Sequence, residues 1–320
     1  MGFNVSALTD YTIQNAQELV VSSVLGAKTA GLIKSQGNVM VGVKSSETIN
    51  IMDTDAIFQD GTSCGFTASG ATTFTQRTVT VGPIKVNEAL CPKDLNKKYL
   101  QQALPAGSMY DSTVFAEQFS QRKAQKIAAQ LEIGIWQGDT GSANVNLNKF
   151  DGFVKLIAAA SASVIHANTS SYYGTPLAAS AGITTSNVIA VLDAVYKAIP
   201  AEVVAADDVI IAVGMDTFRT YQIALKNANL FAYNFDGKAD SEFVLPGTTI
   251  KVVALQGLNG TSKIYAMRTS NLFLGTDLLN EEEKFELFYA KEADQVRFVS
   301  EFKMGVNFAF PAEIVDFILA

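Results

Sequence analysis

The chain of 320 residues is short of charge: Asp, Glu, Lys and Arg make up 17% of it while apolar residues make up 48%, against about 25% charged in a typical soluble domain. That shortage implies a folded surface that is largely not wet. It also lacks any uninterrupted run near the ~18 to 20 apolar residues of a spanning helix. The longest candidate, FVKLIAAASASVI at 153–165, is short and made mostly of small residues. Burial against other protein subunits is therefore the expected use of the apolar surplus, and no membrane partner is expected. Histidine occurs once, at His166, and cysteine twice, at Cys64 and Cys91. Two isolated cysteines build neither a disulfide framework nor a metal cluster, so buried free thiols and no cofactor or metal are the expectation.

Clustered cations are missing too. The formal charge is −7, and residues 1–160 carry 13 basic and 13 acidic side chains against 11 and 18 in residues 161–320. A sequence-reading nucleic-acid binder needs a basic footprint that displaces counterions, so contact with nucleic acid is expected to be weak and nonspecific. The start, MGFNVSALTDYTIQNAQELVV, has no basic n-region or apolar core of a secretory signal, and Ser6 alone matches a myristoylation pattern. The protein is expected to stay in the cytoplasm in which it is made.

What is present sorts into segments. Residues 1–47 are polar, with Gly26, Gly31, Gly37 and Gly42 spaced through them, and read as an extended arm with at most one short helix. From Thr48 to Val86 the chain turns to Thr, Gly and β-branched residues around the loop DGTSCGFTASGA, which reads as a long hairpin. An isolated two-stranded ribbon is marginal in water, so it is expected to lie on something else. Residues 111–136 carry the strongest helix signal: Asp111, Ser112 and Thr113 offer N-caps, and Phe115, Phe119, Ile127, Leu131 and Ile135 fall at four-residue steps or multiples of them. At 1.5 Å per residue that helix is about 39 Å long, with Arg122, Lys123 and Lys126 reading as a solvated stripe.

Residues 137–185, rich in small and polar residues, read as a linker or irregular layer. Then come a helix from about Ser186 to Pro200, a buried strand in DDVIIAV and a helix capped by Asp216. Strands follow in TIKVVAL, KIYAM and NLFLG, and a second hairpin in FELFY and QVRFVSEF about an AKEAD turn. The class is α+β with a mixed sheet.

Chemical motifs fail on context. Gly61 to Gly65 matches G-x-S-x-G with Ser63 as nucleophile, but loop and strand follow where a hydrolase elbow needs a helix, and His166 is the only base available. No phosphate-binding glycine motif occurs, since Ala232 stands where the first glycine before Gly237-Lys238 is needed. Glu281, Glu282 and Glu283 are consecutive and do not converge on an ion as an EF-hand loop does.

The element order, together with LPGTTIKVVALQGL at 245–258, KIYAMRTSNLFLGTDL at 263–278 and FELFYAKEADQVRFVSEFKMGVNFAFPAEIV at 285–315, resembles the major capsid protein of tailed double-stranded DNA bacteriophages, the HK97-type fold. The resemblance implies an N-terminal arm at 1–47 and an extended E-loop hairpin at 48–86. It implies a peripheral domain at 87–139 and 281–303 with its spine helix at 111–136, and an axial α/β domain at 140–280 and 304–320. Gly275 is expected to permit a turn and Asp277 to cap it.

As function, the resemblance implies a non-enzymatic structural subunit that self-assembles as hexamers and pentamers into an icosahedral virion head, built in the bacterial host cytoplasm around double-stranded DNA. Portal, scaffolding and decoration proteins are the partners it leaves room for. The chain begins directly with the arm, so a scaffold is expected as a separate protein or as a piece cleaved from a longer precursor. Phe66, Phe74 and Arg77 are expected to pack the E-loop over a neighbour. Lys291, Glu292 and Asp294 are expected to meet their equivalents where capsomers join, and Leu230, Phe231, Tyr233 and Asp236 to approach the capsomer axis. Some relatives weld neighbours through an E-loop lysine, but residues 48–84 contain none, so assembly there is expected to be noncovalent. An encapsulin-like compartment for protein cargo is the alternative on the same fold, and a soluble hydrolase using Ser63 the alternative of another class.

Overall fold

The computed structural model describes residues 15–61, 65–66, 68–91, 112–228, 241–277, 284–293 and 295–319. The described part of the arm is not extended. It forms α1 (Ala16–Leu25), α2 (Lys28–Ser35) and β1 (Val39–Val41). Leu19, Val24, Ala27, Ala30 and Ile33 are buried, a helical stripe that small residues and glycines disguise in the sequence. Both helices lie against α3 (Ser112–Gln137), the helix read from residues 111–136. A Cβ on Gly26 would come 3.2 Å from the Ala128 Cβ of α3, so this glycine reflects close helix approach as much as a break.

Along α3 the buried stripe widens. Phe119 is half-buried and meets Phe298 edge-on at 5.8 Å, while Ile135 and Trp136 are fully buried. The sheet under α3 has five strands. β10 (Leu272–Thr276) lies parallel to β1 and antiparallel to β12 (Gln295–Phe308). β12 also pairs antiparallel with β11 (Lys284–Ala290) and with β4 (Gly82–Leu90). This sheet takes in β10 and the 304–308 end of β12, which the sequence boundaries put with the axial part.

The presumed linker at 137–185 contains α4 (Phe153–Ala159), with Phe153 and Ile157 buried, and β5 (Ile165–His166). β5 is the edge of a six-stranded sheet in the order β5, β13 (Val315–Phe317), β9 (Ile264–Arg268), β6 (Val209–Gly214), β8 (Lys251–Leu255), β7 (Glu242–Val244). β6, buried at every position, pairs parallel with β8 and antiparallel with β9, as a near-continuous apolar run demands. Helices α5 (Val188–Ala198) and α7 (Met215–Asn227) share a core with one face of this sheet, beside the short α6 (Ala201–Val204). The other face joins the core of α3, where Tyr265 stacks on Trp136 with ring centroids 5.8 Å apart.

Asp216 is not the N-cap of α7, a position held by Gly214. Its Oδ1 accepts from the Thr217 N–H and its Oδ2 from the Gly260 N–H, at 2.8 and 3.0 Å. It thereby ties the helix start to the turn after β8. Cys91 is exposed rather than buried, because it stands just past the end of β4; Cys64 lies outside the described residues.

Candidate assembly surfaces

β2 (Ser46–Thr54) and β3 (Thr72–Thr80) form a hairpin on their own, in register from Ser46 opposite Thr80 to Thr54 opposite Thr72. Residues from 82 on belong to β4 instead. Directly opposed residues share a face, so Ile49, Ile51, Thr75 and Arg77 face one way and Asn50, Met52, Phe74 and Gln76 the other. At the root, Ile49, Ile51 and Val79 are buried with Ala309, against half-buried Met40 and Phe273. Gly275 serves this contact and no turn: it lies within β10, and a Cβ there would stand 2.8 Å from Val79 Cγ1 and 3.2 Å from Val81 Cγ1.

Asp277 does not cap a turn by hydrogen bonding through Oδ2. It is 2% exposed, and that oxygen lies 3.7 Å from Lys44 Nζ and 3.6 Å from Lys303 Nζ, joining the arm to β12. The stretch RTSNLFLGTD at 268–277 is thus built into the fold. Further along the root, Asn307 Nδ2 donates to the Thr78 carbonyl at 2.7 Å. The Arg77 guanidinium sits 4.2 Å from the centroid of the Phe308 ring, and burial lowers its pKa. Arg77 therefore has a role inside its own subunit.

Past Ile51 the hairpin leaves its own core. Met52 is 60% exposed, Ile57 59%, Phe58 98%, Phe66 94% and Phe74 76%. Single exposed apolar residues are ordinary, but here five large ones concentrate on one hairpin. Phe66 and Phe74 are read from sequence. Met52, Ile57 and Phe58 are missed there, although the hydropathy of MDTDAIF at 52–58 signals them.

Lys291 and Glu292 are exposed in the turn between β11 and β12. Their partner Asp294 lies outside the described residues, as do Leu230, Phe231, Tyr233 and Asp236. Within the hairpin, Phe74 and Arg77 stand on opposite faces.

Chemistry-bearing side chains are mostly tied up structurally. His166 Nδ1 is 2.7 Å from Asp316 Oδ1, and Nε2 is 3.1 Å from the Ser161 carbonyl oxygen. The histidine thus has the orienting carboxylate that the sequence does not reveal, but its second nitrogen is taken by the backbone. Burial pushes Asp316 up, opposed by the hydrogen bond with His166. Ser63 lies outside the described residues. Glu132 is buried between helices: its Oε2 accepts from the Thr29 N–H at 2.9 Å and its Oε1 from Thr29 Oγ1 at 2.6 Å, while Trp136 Nε1 donates to Thr29 Oγ1 at 2.8 Å. Burial raises its pKa, and the Thr29 bonds oppose that rise. Among the described residues no cluster of three or more His, Cys, Asp or Glu could hold a metal, and no helix is long and apolar enough to cross a membrane.

No protein-family model and no curated protein matches the chain. Solved structures do. A chain of the satellite phage P4 procapsid that includes the size determination (Sid) protein is 11% identical, with 95% of this chain and 91% of that one covered and a TM-score of 0.61. The capsid of an empty GTA particle is 14% identical over 93% and 90%, with a TM-score of 0.55. A virus-like particle from Pyrococcus furiosus is 12% identical over 98% and 99%, with a TM-score of 0.50. The chain has the α+β HK97-type capsid fold, over nearly its whole length.

Proposed function

We propose that the chain is the major capsid protein of a tailed bacteriophage, a non-enzymatic subunit that assembles as hexamers and pentamers into an icosahedral head around double-stranded DNA. One observation carries the reading: a hairpin anchored by Ile49, Ile51 and Val79 in its own subunit holds Phe58 and Phe66 almost fully in solvent. A folded subunit gains nothing from that arrangement unless another surface covers it. In this reading residues 46–80 are the E-loop, α3 is the spine helix of the peripheral part, and the six-stranded sheet belongs to the axial part. The β11–β12 turn with Lys291 and Glu292 meets its equivalents between capsomers. The absence of lysine from 48–84 makes the E-loop contact noncovalent. Many modest contacts repeated over a closed shell give a durable container, as avidity requires.

Light scattering with ultraviolet absorbance on native material tests it. Particles of many megadaltons with a strong 260 nm signal are expected. Particles holding a protein cargo in place of nucleic acid would instead favour the encapsulin-like reading, whose fold the Pyrococcus particle shares. A stable small oligomer would overturn both.

A further inference from the structure

His166 is the one histidine of the chain, and the fold sets it between two hydrogen-bond acceptors. It stands on β5, the edge of the six-stranded sheet, beside Asp316 of β13 in the parallel ladder. Its Nδ1 lies 2.7 Å from Asp316 Oδ1, and its Nε2 lies 3.1 Å from the carbonyl oxygen of Ser161. That carbonyl belongs to the short turn Ser161–Ser163 between α4 and β5, and it also accepts from the Val164 N–H at 3.3 Å. The imidazole therefore ties this turn to the edge of the sheet.

A carbonyl oxygen only accepts, and so does an ionised carboxylate, whereas a neutral imidazole has one donor and one bare nitrogen. Neutral His166 beside ionised Asp316 thus leaves a bare nitrogen against an acceptor whichever tautomer forms. Hydrogen on Nδ1 keeps the Asp316 bond and sets Nε2 against the Ser161 oxygen; hydrogen on Nε2 sets a bare Nδ1 against the carboxylate itself, which is the worse contact. Both bonds form only when the pair carries one further proton, as imidazolium with carboxylate or as imidazole with carboxylic acid. The two groups then titrate as one unit. Asp316 is 2% exposed, and burial pushes its pKa up, against the hydrogen bond and charge of His166 and the charge of Lys263. Tyr265, opposite Asp316 on β9, is kept neutral by burial and by that carboxylate. Asp193 and Lys197 of α5 do not face the pair, because α5 packs with Val315 and Phe317 on the other face of the sheet. The segment SASVIHANT at 161–169 brings no other charge.

We infer that His166 and Asp316 form a proton-operated clasp: while the pair holds its extra proton the Ser161–Ser163 turn is bound to the sheet edge, and loss of that proton releases the turn but leaves β5 paired with β13. The bonds fix the direction. The clasp is closed in acid and opens as pH rises through the step at which the pair gives up its proton. The His166 side chain is 46% exposed, so the proton passes directly to water. Nothing in this device depends on assembly into a shell.

Hydrogen exchange read by mass spectrometry on the full chain tests it, with rates corrected for intrinsic exchange at each pH and the buried strand β6 as reference. Between about pH 5 and pH 8, where histidine ordinarily changes charge, protection at Ser163 and Val164 should fall at least about tenfold in wild type, as one charge-assisted hydrogen bond is lost. Ile165 and Ala167, whose N–H groups donate to the Ile314 and Asp316 carbonyls, should fall less. His166→Gln has no charge to lose and should show no step. Asp316→Asn offers Nδ1 a side-chain donor, so both bonds form around a neutral ring and protection should stay high at pH 8; this variant also decides the matter if His166→Gln does not fold. Flat protection in wild type would overturn the clasp, as would a step of equal size in either folded variant. An equal fall in β6 would make the loosening global and overturn it too.

Discussion

Replacing Phe58 and Phe66 by serine separates assembly from folding. Both side chains are nearly fully exposed in the subunit, at 98% and 94%, so their loss removes no core contact, and surface changes of this kind stay within about 0.5 kcal/mol. If assembly covers them, each contributes about 1.5–3 kcal/mol through removal of apolar area from water. Together they contribute about 3–6 kcal/mol per subunit contact, and at ~1.4 kcal/mol per tenfold the double variant needs about 100 to 10,000 times more protein to assemble. The assay pairs a thermal melt of unassembled subunit with a scattering titration. An unchanged Tm with assembly abolished at any practical concentration is expected. Particles forming at the wild-type concentration would show that the tip stays wet in the shell, and a Tm lowered by several degrees would show that it packs on its own subunit; either refutes the reasoning.

Within the subunit, Trp136→Ala should cost about 3–5 kcal/mol, seen as a lower denaturant midpoint, because it empties the site between Phe153 and Tyr265. Thr29→Val strips a donor from Glu132 and the acceptor from Trp136 Nε1, at about 1–3 kcal/mol for each orphaned group. Glu132 has a folded pKa raised by burial. Its protonated form therefore favours the fold, and that contribution is lost as pH rises from about 4.5 through the folded value; the variant's deficit should be larger at pH 7 than near pH 4. Asp208 runs the other way. Burial pushes it up, but hydrogen bonds from Ser270 and Arg268 outweigh that and leave it below the usual carboxylate value. Its contribution is present above about pH 3.8 and lost as pH falls through the folded value, so urea midpoints of Asp208→Asn and wild type should converge in acid. Gly275→Val should destabilise the hairpin root by about 1–3 kcal/mol, detectable as faster amide exchange in β2 and β3.

The long helix, both hairpins and the strands β6, β8, β9 and β10 are legible because their apolar residues form continuous runs or regular periods, whereas β7 and β13, of three residues each, are too short to stand out. The arm helices are not. Ser23, Ala27 and Ala30 in the arm and Ala124 and Ala128 in α3 are all buried, small residues that permit close approach yet resemble a loop when read with Gly26 and Gly31 beside them. Groups joined across long separations are equally hidden: Asp316 lies 150 residues from His166 and Glu132 lies 103 from Thr29. Gly275 looked like a turn because glycine most often marks one, whereas here the cause is steric crowding by Val79 and Val81. Of the stripe read as solvated, Arg122 and Lys126 are exposed, whereas Lys123 is half-buried and paired with Glu88, a partner that helix position alone does not reveal.

The hairpin shows why the surface of an assembling subunit is harder to read than its core. One face of β2 and the residues just beyond it run Ile49, Ile51, Asp53, Asp55 at period two, and the first two are 8% exposed while the last two are exposed. The change from isoleucine to aspartate marks where the hairpin leaves its subunit's core. On the opposite face Met52 and Phe74 stand directly across from each other and remain open. If only internal packing had shaped this element, apolar residues would cease where the supporting sheet ceases, and edge positions would carry the lysine or proline that keeps free strands apart. Instead aromatic residues increase toward the tip, lysine is absent throughout, and the acidic residues cluster where apolar ones are bare. Such a pattern has a physical rationale when the covering surface is supplied by another chain, because aspartates then restrict which surface can approach while the aromatic rings supply the gain in burying it.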